Sequence, residues 1–253
     1  DLVVHLAANA KVHELVQFPH RAMENIALTF NVLEYCRHNR VPLIFSSSRE
    51  VYGDIHRYIT EEQHADFSFT ESPYSASKVA GEALVYSYAR CYGVRYIVFR
   101  FSNVYGRYDN DIERMERVIP LFIQRMRQGL PVTVYGSEKM LDFTYVDDCV
   151  SGIRAGIERL LDGRVQNQTI NLAYGQGNTL VRMAELIAEA LQVAAHITVE
   201  PAKRVGEVSR YIADISRAVE LLDYQPQVPL AEGIRRAVAW SNAWAARVPP
   251  GEQ

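Results

Sequence analysis

Three short apolar runs, residues 3–7, 42–46 and 96–100, alternate with longer segments whose apolar residues recur at helical spacing. Unbroken runs of this length suit strands covered on both faces, as in a parallel sheet. Ala22, Ile26, Phe30, Leu33 and Cys36 predict one covering helix, with Pro19 suited to its first turn. Val79, Leu84 and Tyr88 predict a second over 74–91, stopped by Gly93. Strand, helix, strand, helix, strand demands right-handed crossovers, so the expected fold class is α/β with a doubly wound parallel sheet. Beyond about Tyr105 the pattern becomes mixed. Helices are expected over 118–128, after 146–148, over 179–191 and over 230–244, with strands over 132–135 and 169–172. This divides the chain into a sheet domain, 1–105 with 141–173 interleaved, and a smaller lobe from 106–140 and 174–253. With no repeat or flexible linker, the two form one unit; the tail from Pro249 is expected to fray.

Composition limits what such a fold can serve. A chain of 253 residues with 48% hydrophobic and 23% charged residues can bury a sizeable core. No stretch approaches the ~18 unbroken apolar residues of a membrane helix. Lys and Arg total 27 against 30 Asp and Glu, so a net charge of −3 offers no basic field for nucleic acid and no polybasic anchor for a membrane. Small-molecule partners are expected. Cys36, Cys91 and Cys149 lie far apart without a CxxC pair, and the seven histidines show no HxxxH or HxH spacing. Neither a disulfide framework nor a metal site is expected, and with no signal peptide visible the cytoplasm is the expected location.

Chemistry concentrates in two places. Tyr74 and Lys78 stand four apart on the second helix, on one face and about one turn from each other. Upstream, Ser46-Ser-Ser48 leaves the end of a strand, where open α/β sheets bind their ligands. A tyrosine titrates near ~10, so a phenolate base at neutral pH needs a shift of ~3 units, or ~4 kcal/mol. A nearby ammonium in a partly dry site, with help from a cationic cofactor, supplies energy of that order. Taken singly, the Tyr and Lys also fit a packed ring and a snorkelling lysine, and the serines also fit a turn.

Longer strings extend the pattern: His5-Leu-Ala-Ala8, Glu24-Asn-Ile-Ala-Leu-Thr-Phe-Asn-Val-Leu-Glu34, Phe45-Ser-Ser-Ser-Arg-Glu-Val-Tyr-Gly53, Ser72-Pro-Tyr-Ser-Ala-Ser-Lys78, Arg100-Phe-Ser-Asn-Val-Tyr-Gly106, Asp142-Phe-Thr-Tyr-Val-Asp-Asp148 and Gly206-Glu-Val. In this order they resemble the extended short-chain dehydrogenase/reductase family, in its NAD-dependent nucleotide-sugar epimerase/dehydratase branch. The resemblance implies a Rossmann-like domain, NAD as cofactor, a UDP-sugar substrate, a 4-epimerase activity like that on UDP-glucose, and a homodimer. It implies Ser48, Tyr74 and Lys78 as catalytic residues. Leu6, Ala7, Ala8, Asn25, Ser46, Phe101 and Ser102 would line or support the cofactor with Tyr74 and Lys78. Ser48, Glu50, Asn103, Val118, Thr133, Tyr135, Arg204 and Tyr211 would serve the sugar nucleotide. The dimer would pair the helices carrying Ala22 to Cys36 and Tyr74 to Cys91.

Two departures bear on the substrate. Leu141 stands where the family often carries an arginine for the diphosphate, a loss of ~1.5–3 kcal/mol unless Lys139 or another residue compensates. Arg49 stands where related dehydratases carry an aspartate that protonates the leaving hydroxyl; an arginine cannot donate usefully at neutral pH. Glu50 is shared with dehydratases and UDP-glucuronate decarboxylases, so those activities form the alternative, with a non-catalytic NAD-sensing protein the third reading. The mixed-sign run from Arg107 to Arg117 reads as a solvated loop over the site. If residues 5–8 end the fourth strand of the family's sheet, roughly 60 residues carrying the Gly-rich phosphate turn would precede Asp1. On that expectation the chain binds NAD weakly and leaves an apolar sheet edge exposed.

Overall fold

The computed structural model describes residues 1–54, 59–109, 117–202, 205–206 and 208–247. The tail from Pro249, Arg204 and most of the mixed-sign run lie outside the described residues. Along the chain the elements are β1 (Val3–His5), α1 (Val12–Gln17), α2 (His20–Asn39), β2 (Leu43–Ser48), α3 (Pro73–Tyr92), β3 (Tyr96–Phe101), β4 (Asn103–Tyr105) and α4 (Val118–Arg127). There follow β5 (Val132–Tyr135), β6 (Met140–Tyr145), α5 (Val146–Leu161), β7 (Gln168–Leu172), β8 (Gly177–Thr179), α6 (Leu180–Leu191), β9 (Ile197–Glu200), β10 (Arg210–Tyr211), α7 (Ser216–Leu222) and α8 (Leu230–Ala245).

The larger sheet is parallel in the order β1-β2-β3-β7. Its two-residue period sends neighbouring side chains to opposite layers. Phe45 and Val98 pack with Leu33, Cys36, Val85 and Tyr88 of α2 and α3. Ile44, Ile97, Phe99 and Ile170 pack with Cys149 and Leu160 of α5 and with Ala218 and Leu222 of α7. Two glycines let the helices close on the sheet. A Cβ on Gly81 of α3 would stand 2.6 Å from Phe45 Cζ, and one on Gly156 of α5 would stand 2.6 Å from Phe99 Cζ.

The smaller lobe is built on β6, which pairs in parallel with β4 and β10 and antiparallel with β8; β5 and β9 form a separate parallel pair. Ile119, Phe122, Val132, Val134, Leu186, Ile187, Ile234 and Val238 belong to its core. The expected division is corrected at two elements. β6, expected with the larger sheet, belongs to the smaller lobe, because β4 leaves the end of β3 and carries the pairing across. Within β6, Asp142 is fully buried and accepts from the backbone N–H groups of Tyr174, Gly175 and Ala213, which ties the lobe together. α7, expected in the smaller lobe, packs against α5 and β7 of the larger sheet.

Candidate active site

The site forms where β2 ends and α3 begins. A capping box fixes the start of α3: Ser72 Oγ accepts from Ser75 N, and Ser75 Oγ accepts from Ser72 N. Pro73 occupies the first turn, so Tyr74 is set one residue inside the helix with no fraying end before it. One turn on, Lys78 Nζ donates to the Ser46 carbonyl at 2.7 Å and lies 5.8 Å from the centroid of the Tyr74 ring. Ser48 ends β2 and caps the 3₁₀ turn Arg49–Tyr52, its Oγ accepting from Glu50 N at 3.2 Å. Tyr74 and Lys78 are both buried.

Burial dominates the electrostatics. It pushes the Tyr74 phenol up to about 12; hydrogen bonding with Ser48 pulls it down, Glu50 pushes it up, and Arg49 and Arg117 pull it down. Burial also lowers the Lys78 ammonium to about 8, with Glu82 acting the other way. In the protein without a ligand the phenol is therefore held in its protonated form; the expected activation draws on a cationic nicotinamide as well as on Lys78. The Lys78 ammonium is committed to the Ser46 carbonyl, and drying the site costs the phenolate more than its neighbours return.

Two cavities meet at this point. The first, of about 580 Å³, is lined by Leu6, Ala8, Ser46, Ser48, Tyr74, Lys78, Phe101 and Ser102 among others. The second, of about 450 Å³, is lined by Thr133, Tyr135, Lys139, Leu141 and Arg125 among others. Val12, Arg49, Glu50, Asn103 and Val118 line both and form the wall between them. Most of the expected residues thus line one or the other of two adjoining cavities that share a wall.

Three lie elsewhere. Ala7 is exposed beside the first cavity without lining it. Asn25 stands behind it, accepting from Asn9 N at 2.7 Å and donating to Asn9 O and to Ser77 Oγ, so it shapes the loop after β1. Tyr211 is corrected: it lines neither cavity, being buried in a stack on Tyr52, with its hydroxyl 3.4 Å from Asn171 Oδ1.

Arg49 and Glu50 form a buried ion pair at 2.8 Å, with the Arg49 guanidinium over the Tyr211 ring. Lys139 and Arg125 bring positive charge to the second cavity, where Leu141 brings none. Sequence reasoning missed Arg125, although Val118, Leu121, Phe122 and Arg125 follow the i, i+3, i+4, i+7 spacing of one helix face. Arg117, one residue before that face and expected only in a solvated loop over the site, lines the first cavity.

Comparison with known proteins gives the frame. Residues 1–173 match the model of the NAD dependent epimerase/dehydratase family. The chain belongs to that family. As a member of it, the chain is 30% identical over 247 residues to a Bacillus subtilis protein named an uncharacterized UDP-glucose epimerase, covering 96% of this chain and 75% of that one. It is 32% identical over 252 residues to the dTDP-glucose 4,6-dehydratase of Streptomyces antibioticus, covering 96% and 72%. Among solved structures, the UDP-glucose 4-epimerase of Thermotoga maritima with UDP-glucose superposes with a TM-score of 0.88 at 30% identity, covering 96% of this chain and 78% of that one. Family membership makes the larger sheet of this epimerase/dehydratase a Rossmann-type sheet. No helix among the described residues is long and apolar enough to cross a membrane.

Proposed function

We propose that this family member is an NAD-dependent nucleotide-sugar 4-epimerase that works through a 4-keto sugar. The observation that carries the reading is the meeting of the Ser48 and Tyr74 hydroxyls beside Lys78, at the wall of a cavity that adjoins a second, cation-lined one. The first cavity suits a nicotinamide and its ribose, with Leu6, Ala8 and Phe101 as apolar walls and the Lys78 ammonium as a donor. Bound NAD+ supplies a hydride acceptor and donor at the sugar C4 and a further positive charge. The chain's own residues handle the proton and the geometry. Ser48 holds the C4 oxygen while Tyr74 takes its proton, and Arg49, Arg117 and the cofactor's charge offset the burial that keeps the phenol protonated. The nucleotide end occupies the second cavity, with Arg125 and Lys139 toward the diphosphate and Thr133 and Tyr135 toward the base. A UDP-sugar is the proposed substrate, a cytoplasmic homodimer the proposed form.

Dehydration needs a proton donor for the leaving hydroxyl. At the position expected to supply it stands Arg49, paired with the only carboxylate beside it in the 3₁₀ turn, Glu50. That pairing favours epimerisation. Incubation with NAD+ and either UDP-glucose or UDP-glucuronate distinguishes the outcomes: the C4 epimer is expected, whereas carbon dioxide or a 4-keto-6-deoxy sugar without an epimer would reject the reading. Tyr74→Phe is expected to lower kcat by ~10²–10⁴-fold with the nucleotide affinity kept; full activity in that variant would remove the phenol from the mechanism.

A further inference from the structure

Behind the site lies a second buried charge cluster that the reaction does not touch. Glu82 follows Lys78 by one helical turn on α3, a spacing that brings side chains to ~5–6 Å between Cβ atoms. Its carboxylate is saturated with donors. Arg100 of β3 binds it through both arms, Nε to Oε1 at 2.8 Å and Nη2 to Oε2 at 2.6 Å. Ser47 Oγ donates to Oε1 at 2.5 Å, and Tyr86 OH donates to Oε2 at 2.8 Å. Arg100 in turn donates through Nη1 to Tyr52 OH at 3.1 Å and to the Glu62 carbonyl at 2.7 Å, and Tyr52 OH donates to Asn171 Oδ1 at 2.5 Å.

Two neighbouring residues of β2 therefore bind two successive turns of α3. The Ser46 carbonyl accepts from Lys78 and the Ser47 hydroxyl donates to Glu82. Tyr52, at the end of the turn that Ser48 begins, joins the same cluster. Around the Lys78 ammonium, α3 presents Tyr74 and Glu82, β2 presents the Ser46 carbonyl and the ring of Phe45 at 5.4 Å, and β1 presents His5, which burial first and Lys78 second hold toward its neutral form. Arg100 reaches this group only through Glu82, which it binds with both arms. Among these groups Glu82 is the one whose ordinary charge at neutral pH is negative.

We propose that Glu82 is a positioning residue for catalysis: its carboxylate is the counter-charge that keeps the Lys78 ammonium protonated in a dry pocket, and Arg100 sets how much of that charge Lys78 feels. The proposal rests on the reading of Lys78 as the ammonium of the site. Its physical basis is that a buried ammonium without a nearby anion loses its proton first, whereas a carboxylate fully neutralised by a bidentate guanidinium attracts only weakly. Removing the anion and removing the guanidinium must then act on Lys78 in opposite directions, which a purely structural cluster has no reason to do.

The chain has four lysines, Lys11, Lys78, Lys139 and Lys203, so 13Cε-lysine NMR resolves each, and the Lys78 signal is assigned by its loss in Lys78→Met. The protein is titrated between pH 6 and 11 without substrate. Relative to the unaltered protein, Glu82→Gln is expected to move the Lys78 midpoint down by about one unit or more. Arg100→Met, which leaves the Ser47 and Tyr86 donors on Glu82, is expected to move it up. If Glu82→Gln fails to fold, the upward shift in Arg100→Met and a lower midpoint in the double variant Glu82→Gln/Arg100→Met carry the test. Shifts of the same sign, or none, in folded variants overturn the proposal. Turnover by Lys78→Met is measured in parallel: undiminished activity there rejects the site reading on which the proposal rests, while the NMR shifts judge the electrostatic inference by themselves.

Discussion

At the scale of single residues the site is governed by the cost of drying charged groups. Lys78 has a folded value of about 8 against ~10.4 for an exposed lysine. Because the unfolded chain binds the extra proton more readily, the cost is fully present below pH 8 and is relieved as pH rises toward 10.4. Relative to Lys78→Met, the unaltered protein should gain about 3 kcal/mol of stability over that interval. Urea unfolding of both proteins at pH 7.5 and 10 measures it, and a constant difference would refute the buried-ammonium description. A second residue-scale expectation concerns the cation-lined cavity. Lys139→Ala and Arg125→Ala should each weaken UDP binding by about 10-fold to 100-fold, the value of a charge-assisted contact, as read by calorimetry. Ser48, Tyr74 and Lys78 were legible in the sequence because spacing and strand ends constrain them. The direction of the Tyr74 shift was not, since burial depends on residues far along the chain. Tyr211 was misread for the same reason: a tyrosine beside a ligand and one stacked on Tyr52 look identical in sequence.

Elements position those residues through contacts of atomic width. Gly81→Ala would drive a methyl group into the Phe45 ring, so α3 must move off β2 or the ring must turn. A destabilisation of ~1–3 kcal/mol is expected in urea unfolding, together with a lower kcat, because the same movement shifts Tyr74 away from Ser48. Ser72→Ala removes the cap of α3 and should cost ~0.5–2 kcal/mol, with fraying of the turn that carries Tyr74. The long elements were legible: β2, α3, β5 and α6 lie within two residues of where apolar periodicity puts them. β4, β8 and β10 were not, since each has two or three residues and, unlike β1, none stands in a longer apolar run. The sheet to which β6 belongs was equally unreadable, because its pairing is decided by β4 and by the backbone groups that Asp142 gathers.

For the whole molecule, α2 turns one face to α3 and leaves another to solvent. On that outer face Met23 and Phe30, seven residues apart and hence on one stripe, are 65% and 47% exposed. Such a stripe is what the proposed dimer would cover. Sedimentation velocity should give a dimer for the unaltered protein and a monomer for the Met23→Asp/Phe30→Asp variant; a monomer in both cases would exclude pairing through α2. Nothing in the composition pointed to that stripe, because only the packing of α2 on α3 shows which of its apolar residues are left over.

The three serines at the end of β2 have a consequence for how this chain tolerates change. The side chain of Ser47 turns toward α3 and holds Glu82, while its neighbours serve the cavity, Ser46 through its carbonyl and Ser48 through its hydroxyl. Strand parity thus divides structural from chemical work between adjacent identical residues. A single residue inserted or deleted within β2 would exchange the two assignments while leaving the local composition almost unchanged. The six residues from Leu43 to Ser48 therefore act as a fixed reading frame.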